Sequence, residues 1–211
     1  MCPAADLPDL RATFGNIDIY VFDQLLRGRI APGMRVLDAG CGGGRNLVYL
    51  LRAGYDVCGV DESAVAIAGV RRLAAELAPH LPPENFCTEP VDAMSFPDHH
   101  ADVVLSNAVL HFARDPAHFD AMLRGSWRVL KPGGLFFTRL ASSIGIEAEI
   151  QPLGDGQFHL PDGSQRYLVN APFLERAADE LDGTLLDPLK TTVVQGQRSM
   201  TTWVLRKNPV G

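Results

Sequence analysis

Val36-Leu37-Asp38-Ala39-Gly40-Cys41-Gly42-Gly43-Gly44-Arg45-Asn46 passes from an apolar, β-branched run into a cluster of glycines. A short apolar run followed by glycines and then by a helical pattern marks a strand-to-helix junction. Glycines there let the backbone come close to a ligand, and the first turn of the helix offers N–H groups to it. The segment therefore predicts a nucleotide-like ligand at the carboxyl end of the first strand. Gly40, Gly42 and Gly44 are spaced GxGxG; the dinucleotide fingerprint is GxGxxG, and its third glycine position is held by Arg45. Asp38, at the strand end, would repel a pyrophosphate and suit a cationic ligand such as one with an ammonium and a sulfonium.

Outward from this loop the chain alternates. Leu47 to Leu51 reads as a helix with Arg52 in its last turn and Gly54 as its stop, Asp56 to Val60 as the second strand, and Ser63 to Leu77 as the second helix. A weaker strand lies near Asn85 to Glu89, a buried one over Ala101 to Ser106. Asp115 then caps a helix with Pro116 in its first position and apolar residues at Phe119, Met122, Leu123, Trp127 and Leu130. Lys131-Pro132-Gly133-Gly134 halts it before a fifth strand, Leu135 to Leu140. Strands alternating with helices predict a parallel sheet covered on both faces, because parallel neighbours need helical crossovers. The expected fold is a doubly wound, Rossmann-like, mostly parallel seven-stranded α/β sheet. Thr191 to Val194 and Met200 to Leu205 would close it as an antiparallel pair, after a helix from Phe173 to Leu181. Residues 141–169 hold the turn Pro161-Asp162-Gly163 between Phe158-His159-Leu160 and Arg166-Tyr167-Leu168-Val169, and predict a small hairpin or lid. Ile19, Phe22, Leu25, Leu26 and Ile30 predict an amphipathic helix within an N-terminal cap over residues 1–30. One domain over residues 1–211 accommodates all of this, a length ordinary for a single core.

Composition narrows the partners. The chain is 46% hydrophobic and 21% charged, with formal net charge −6, and Lys and Arg cluster no further than pairs such as Arg71-Arg72. Nucleic acid is not an expected partner, since duplex binding begins with a basic face. Met1 to Asp6 lacks a signal-peptide pattern and no window is long and apolar enough to span a bilayer, so a cytoplasmic protein away from membranes is expected. Cys2, Cys41, Cys58 and Cys87 show no CxxC or Cys/His spacing and read as structural thiols. No metal site is expected.

Two further acids follow the loop. Asp61 ends the second strand about 20 residues past Gly40, where a carboxylate accepts from a ribose hydroxyl pair. Asp92, in Val91-Asp92-Ala93-Met94, is placed after the third strand to meet an adenine amino group. The alternative for each acid is a helix N-cap or a solvated loop position, which competes less at Asp61 than at Asp92.

The run Leu37 to Gly44, with Asp61, Asp92-Ala93, Ser106-Asn107-Ala108-Val109-Leu110-His111 and Leu130 to Gly134, resembles the class I S-adenosylmethionine-dependent methyltransferases, over roughly residues 15–140. Gly44-Arg45-Asn46-Leu47, Tyr49-Leu50 and Gly54-Tyr55-Asp56-Val57 are similar to the small-molecule branch that includes tellurite-resistance methyltransferases. The resemblance implies S-adenosylmethionine as cofactor. It places Gly40 and Gly42 at the methionine part, Asp38 near its ammonium, Asp61 with Glu62 at the ribose, Asp92 and Ala93 at the adenine, and Asn107 at the amino-acid moiety. Arg45 and Tyr20 join the cofactor-binding set, Tyr20 reaching either the cofactor carboxylate or the acceptor.

Methyl transfer is an in-line displacement that rests on alignment, so few side chains need be essential. If the acceptor must lose a proton, His111 is the candidate catalytic base, although packing between Leu110 and Phe112 would also explain it. His159 and Arg166 on the lid, with Arg139 at the end of the fifth strand, could point into the acceptor pocket and favour an anionic acceptor, or be surface charges on a mobile loop. The acidic chain, and the lack of a proline-rich amine-gripping motif or a Pro-Cys nucleophile, favour a small-molecule acceptor. Competing readings are a regulatory module that binds cofactor without turnover, and a nicotinamide-dependent oxidoreductase.

Overall fold

A computed structural model describes residues 9–209. The readings of Cys2 and of Met1 to Asp6 lie outside the described residues. In chain order the elements are α1 (Leu10–Phe14), α2 (Ile19–Leu26), β1 (Arg35–Ala39), α3 (Val48–Arg52), β2 (Asp56–Asp61), α4 (Ala64–Leu77), β3 (Phe86–Thr88), β4 (Ala101–Asn107), α5 (Pro116–Val129), β5 (Leu130–Ala141), β6 (Gln151–Gly154), β7 (Gln157–His159), β8 (Gln165–Tyr167), α6 (Ala171–Glu180), β9 (Gly183–Leu185), β10 (Lys190–Val194) and β11 (Arg198–Lys207). The main sheet runs β10-β11-β5-β4-β1-β2-β3, with the short β9 beside β11. Strands β3, β2, β1, β4 and β5 are parallel; β11 returns antiparallel on β5.

Alternate residues of each strand face opposite layers. Val36, Val103, Leu105, Leu135 and Phe137 pack with Val21 of α2, Leu50 and Leu51 of α3 and Ile67 and Val70 of α4. Leu37, Val60, Val104, Phe136 and Trp203 pack on the other face with Phe119, Leu123 and Trp127 of α5 and Leu174 of α6. Both faces being covered, both alternating sets are apolar, which is why these strands read as continuous apolar runs. β1 lies between β2 and β4, so the strand order reverses there and a crevice opens beyond the carboxyl ends, where ligands bind in such sheets.

Side chains start the helices where expected. Ser63 accepts from Ala66 N–H at 3.3 Å and Asp115 from His118 N–H at 2.8 Å, with Pro116 behind it. Three expectations need correction. α2 ends at Leu26, before Ile30, and buries Val21 and Gln24, whereas Ile19 and Leu26 are each 72% exposed. Its rotation is fixed at both ends by polar ties that outweigh its apolar spacing: Asp18 caps it beneath Asn46, and Arg27 and Arg29 beyond its C-terminus clamp Asp187. α6 begins at Ala171, two residues earlier than its apolar pattern, because Asn170 caps it by accepting from Phe173 N–H. Residues 141–169 carry three strands, not a two-stranded hairpin; β6 pairs β7, and β7 pairs β8. β6 exposes all four residues and so has no alternation to read. This small sheet is docked: Tyr167 stacks on Phe119 with ring centroids 4.9 Å apart, and the Gln157 amide donates to Ala113 O.

Candidate functional site

At Gly40, φ is +84°, and a Cβ would collide with the side chain of Val109 beyond β4. Gly44, at φ +83°, would meet Val70 of α4 at 2.8 Å. The loop is thus pressed against β4 on one side and α4 on the other, which only glycine permits. Its amides are largely spent inward. Gly40 and Cys41 both donate to Val60 O at 2.8 Å, Gly44 donates to Cys41 O at 2.9 Å, and Gly42 donates to Asp61 Oδ2 at 2.9 Å. With the amides of Gly40, Cys41, Gly42 and Gly44 engaged within the protein, the loop keeps few N–H groups for a diphosphate, which weakens the support for a dinucleotide.

Beneath the loop, Asp38 is 2% exposed and no described residue donates a hydrogen bond to its carboxylate. Burial pushes its pKa up to about 7; Arg45 pulls the other way and Asp61 adds a smaller upward push. A buried acid without a partner beside an open crevice is the arrangement a cationic group would complete. Asp61 is oriented by backbone alone: Gly42 N–H holds Oδ2 and Ser63 N–H holds Oδ1, both at 2.9 Å. The carboxylate is thereby fixed in one orientation with lone pairs left for ligand hydroxyls.

Gly40, Asp61, exposed Glu62 and Asp92 line one cleft of about 550 Å³, with Val91, Val109, Phe112, Arg114, His118 and Met122. Asp92 sits in the turn Val91–Ala93, against which Gly125 of α5 packs so closely that a Cβ would lie 2.6 Å from Val91 O. Ala93 is exposed on the outside of that turn. His118 Nε2 stands 3.7 Å from Asp92 Oδ2, and its Nδ1 accepts from Arg114 N–H.

The remaining candidates lie on the other side of the loop. Exposed Arg45 and Arg139 of β5 share the buried carboxylate of Asp18, at 3.4 and 3.3 Å. Tyr20 lies under Arg139, 5.4 Å from guanidinium carbon to ring centroid, and its hydroxyl meets Thr192 Oγ1 at 2.8 Å. Asn107 ends β4 buried, with neither amide atom partnered among the described residues, and Ala108 follows at φ +64°. His111 is buried and its Nδ1 accepts from Ala141 N–H at 3.2 Å, so its ring proton is on Nε2. Burial, reinforced by Arg166 and Arg139, lowers its pKa to about 4. Cys41 and Cys58 are buried thiols whose pKa values burial raises, which fits structural roles. Among the described residues no group of three or more His, Cys, Asp or Glu side chains is placed to hold a metal ion, and no helix is long and apolar enough to cross a membrane.

The sequence pattern passed over Asp18, His118 and Thr192. Asp18 was legible as a helix cap, but not as the acid that two arginines share. His118 was legible as a first-turn residue; its approach to Asp92 depends on how α5 packs against the Val91–Ala93 turn.

Residues 37–138 match a family described as a methyltransferase domain. The chain is 34% identical over 107 residues to an uncharacterized methyltransferase of Synechocystis, covering 51% of this chain and 47% of that protein. It is 30% identical over 156 residues to a ubiquinone biosynthesis O-methyltransferase of Chelativorans, covering 69% and 56%. The chain therefore spans about half the length of these curated relatives. In fold it is similar to an S-adenosylmethionine-dependent methyltransferase of Methanosarcina mazei, with TM-score 0.69 at 20% identity over 88% of this chain and 98% of that one. It is also similar to the 1,6-didemethyltoxoflavin N1-methyltransferase of Burkholderia thailandensis, solved with S-adenosylhomocysteine, with TM-score 0.70 at 20% identity over 95% and 81%.

Proposed function

Because residues 37–138 match a methyltransferase domain, we propose an S-adenosylmethionine-dependent methyltransferase that moves the cofactor's methyl group to a small-molecule acceptor by in-line displacement. The observation that carries it is the buried carboxylate of Asp38, which accepts no hydrogen bond from any described residue, beside a glycine loop in which four amides are engaged within the protein. A cationic amino-acid group answers that carboxylate; a diphosphate does not. Bound there, S-adenosylmethionine supplies a methyl group on a positively charged sulfur.

In this reading Asp38 holds the ammonium, Asp61 accepts from the ribose hydroxyls with Glu62 beside it, and Asp92 meets the adenine edge between Val91 and Met122. Asn107 and the strained backbone at Ala108 border the amino-acid part, with Gly40 and Gly42 opposite. Arg45 and Tyr20 act from the far side through Asp18. Fixing both reactants in line supplies the acceleration, since only contacts stronger in the transition state raise the rate. The net charge of −6 favours a small acceptor over nucleic acid, and the docked sheet of β6, β7 and β8 brings Arg166 over Phe112 beside His111. The likeness to tellurite-resistance enzymes rests on the Gly44 to Val57 motifs and supports the same small-molecule class, as do a relative named for ubiquinone biosynthesis and a structural neighbour solved with 1,6-didemethyltoxoflavin.

The test is equilibrium binding followed by turnover. Saturable micromolar binding of S-adenosylmethionine and S-adenosylhomocysteine, with no binding of NADH, is expected. Absence of binding at high micromolar concentration contradicts the reading.

A further inference from the structure

Where β4 and β5 end, buried polar groups stand without partners beside guanidinium groups. Asn107, Arg139, Thr202 and Lys190 are successive register partners across β4, β5, β11 and β10, so they form one row on a single face of the sheet. On that row the Asn107 amide, Arg139 Nε and Thr202 Oγ1 are buried with no hydrogen-bond partner among the described residues. Native interiors rarely leave such groups unpaired, and a cluster of them marks a place where a ligand makes the missing bonds. Arg139 and Arg45 share the carboxylate of Asp18 as their ion-pair partner, and Arg45 also faces the buried Asp38. Lys190 is turned to Asp23, at 3.6 Å. From the docked sheet, Arg166 lies 4.8 Å over the Phe112 ring, whose centroid is 4.6 Å from that of His111. No described carboxylate is within ion-pair distance of Arg166. His111 is held neutral by burial and by the charges of Arg166 and Arg139, and its Nδ1 is occupied by Ala141 N–H. What it retains is an Nε2–H that donates; it has no free nitrogen with which to accept a proton.

Resting on the methyl-transfer reading, we infer that the acceptor binds as an anion, a carboxylate or an ionised phenol or enol, held by Arg139 and Arg166 with His111 Nε2–H and the Asn107 amide as neutral donors. The step then balances without a base. A lone pair of the acceptor's anionic oxygen forms the bond to the methyl carbon, and the pair of the carbon–sulfur bond goes to sulfur. One negative and one positive charge are neutralised together, and no proton is released. This replaces the sequence-based expectation of His111 as a base with a role as hydrogen-bond donor to the nucleophile.

The test uses the full chain saturated with S-adenosylhomocysteine, titrated calorimetrically with matched probes: benzoate and 4-nitrophenolate against benzamide and nitrobenzene. The anions are expected to bind saturably and the neutral partners at least tenfold more weakly. Arg166→Gln and Arg139→Gln are each expected to weaken the anions tenfold or more, while Arg139→Lys retains more binding than Arg139→Gln and S-adenosylhomocysteine affinity stays within twofold in Arg166→Gln. Arg166 stands on the docked sheet, outside the main core, so its variant keeps the test open if Arg139→Gln fails to fold. Equal binding of neutral and anionic probes, no saturable anion binding, or indifference to Arg166→Gln overturns the inference while cofactor binding stands. Failure of S-adenosylhomocysteine to bind overturns the methyl-transfer reading itself, and this inference with it.

Discussion

The two halves of the site are held by different means. On the β1–β2–β3 side the best-held groups are fixed by nearby backbone: Asp61 by Gly42 and Ser63 N–H, and Gly40 by Val60 O, with Asp92 carried on a short turn. On the β4–β5–β11 side the groups are fixed by one another across long stretches of chain. Asp18 reaches Arg45 and Arg139, and Tyr20 reaches Thr192. Backbone-held groups keep their geometry when other side chains change, which suits a part of the site that binds an invariant ligand. Side-chain networks are re-aimed by single substitutions, which suits a part that differs from one acceptor to another. The contrast implies that cofactor binding tolerates changes in the second half and acceptor binding does not.

Gly40→Ala should break the contrast most severely. The new Cβ would strike Val109 at a φ of +84°, a conformation that costs a non-glycine residue about 1–3 kcal/mol before the collision is counted. Cofactor binding by calorimetry is expected to vanish, and Val109→Ala in the same chain to restore it only in part, since the backbone strain remains. Asp38→Asn comes next. It removes the carboxylate that would face the ligand's ammonium, and a loss of about 1.5–3 kcal/mol is expected, the scale of hydrogen bonds to charged groups. Asp61→Ala is expected to cost more than about 1 kcal/mol of cofactor affinity on the same scale; a smaller loss would mean that the ribose lies elsewhere.

His111 sharpens the other half through pH. Its folded pKa, about 4, lies below the ordinary imidazole value of 6.5, so the unfolded chain takes up the proton first as pH falls. The stability it contributes is complete above that ordinary value and is lost as pH drops toward 4, at up to about 1.4 kcal/mol per pH unit. Chemical denaturation at several pH values should show a shallower fall in His111→Gln than in the unaltered chain. The smallest effect is expected for Tyr20→Phe. Losing the hydroxyl's bond to Thr192 should lower stability by about 0.5–1.5 kcal/mol and leave S-adenosylhomocysteine affinity nearly unchanged.

How far the site could be read from sequence follows the same division. The parallel sheet, the glycine loop and the acids at strand ends were legible because each depends on local chemistry: apolar alternation, glycine at positive φ, a carboxylate at a fixed distance along one βα unit. The burial of α2 was not, because Asp18, Arg29 and Asp187 set its rotation against the apolar spacing of Ile19, Phe22 and Leu26. β6 was invisible for lack of buried residues. The neutrality of His111 follows first from its burial and then from two arginines, one of them on the docked sheet, that no spacing rule connects to it.

The account's central claim is that an ionised Asp38 receives a cation from the cofactor. Because its free pKa is about 7, S-adenosylhomocysteine affinity measured calorimetrically should rise about tenfold per pH unit from pH 5 toward 7 and then level off, and Asp38→Asn should abolish that rise. An affinity that is flat over this range in the unaltered chain, or a rise that persists in Asp38→Asn, would contradict it.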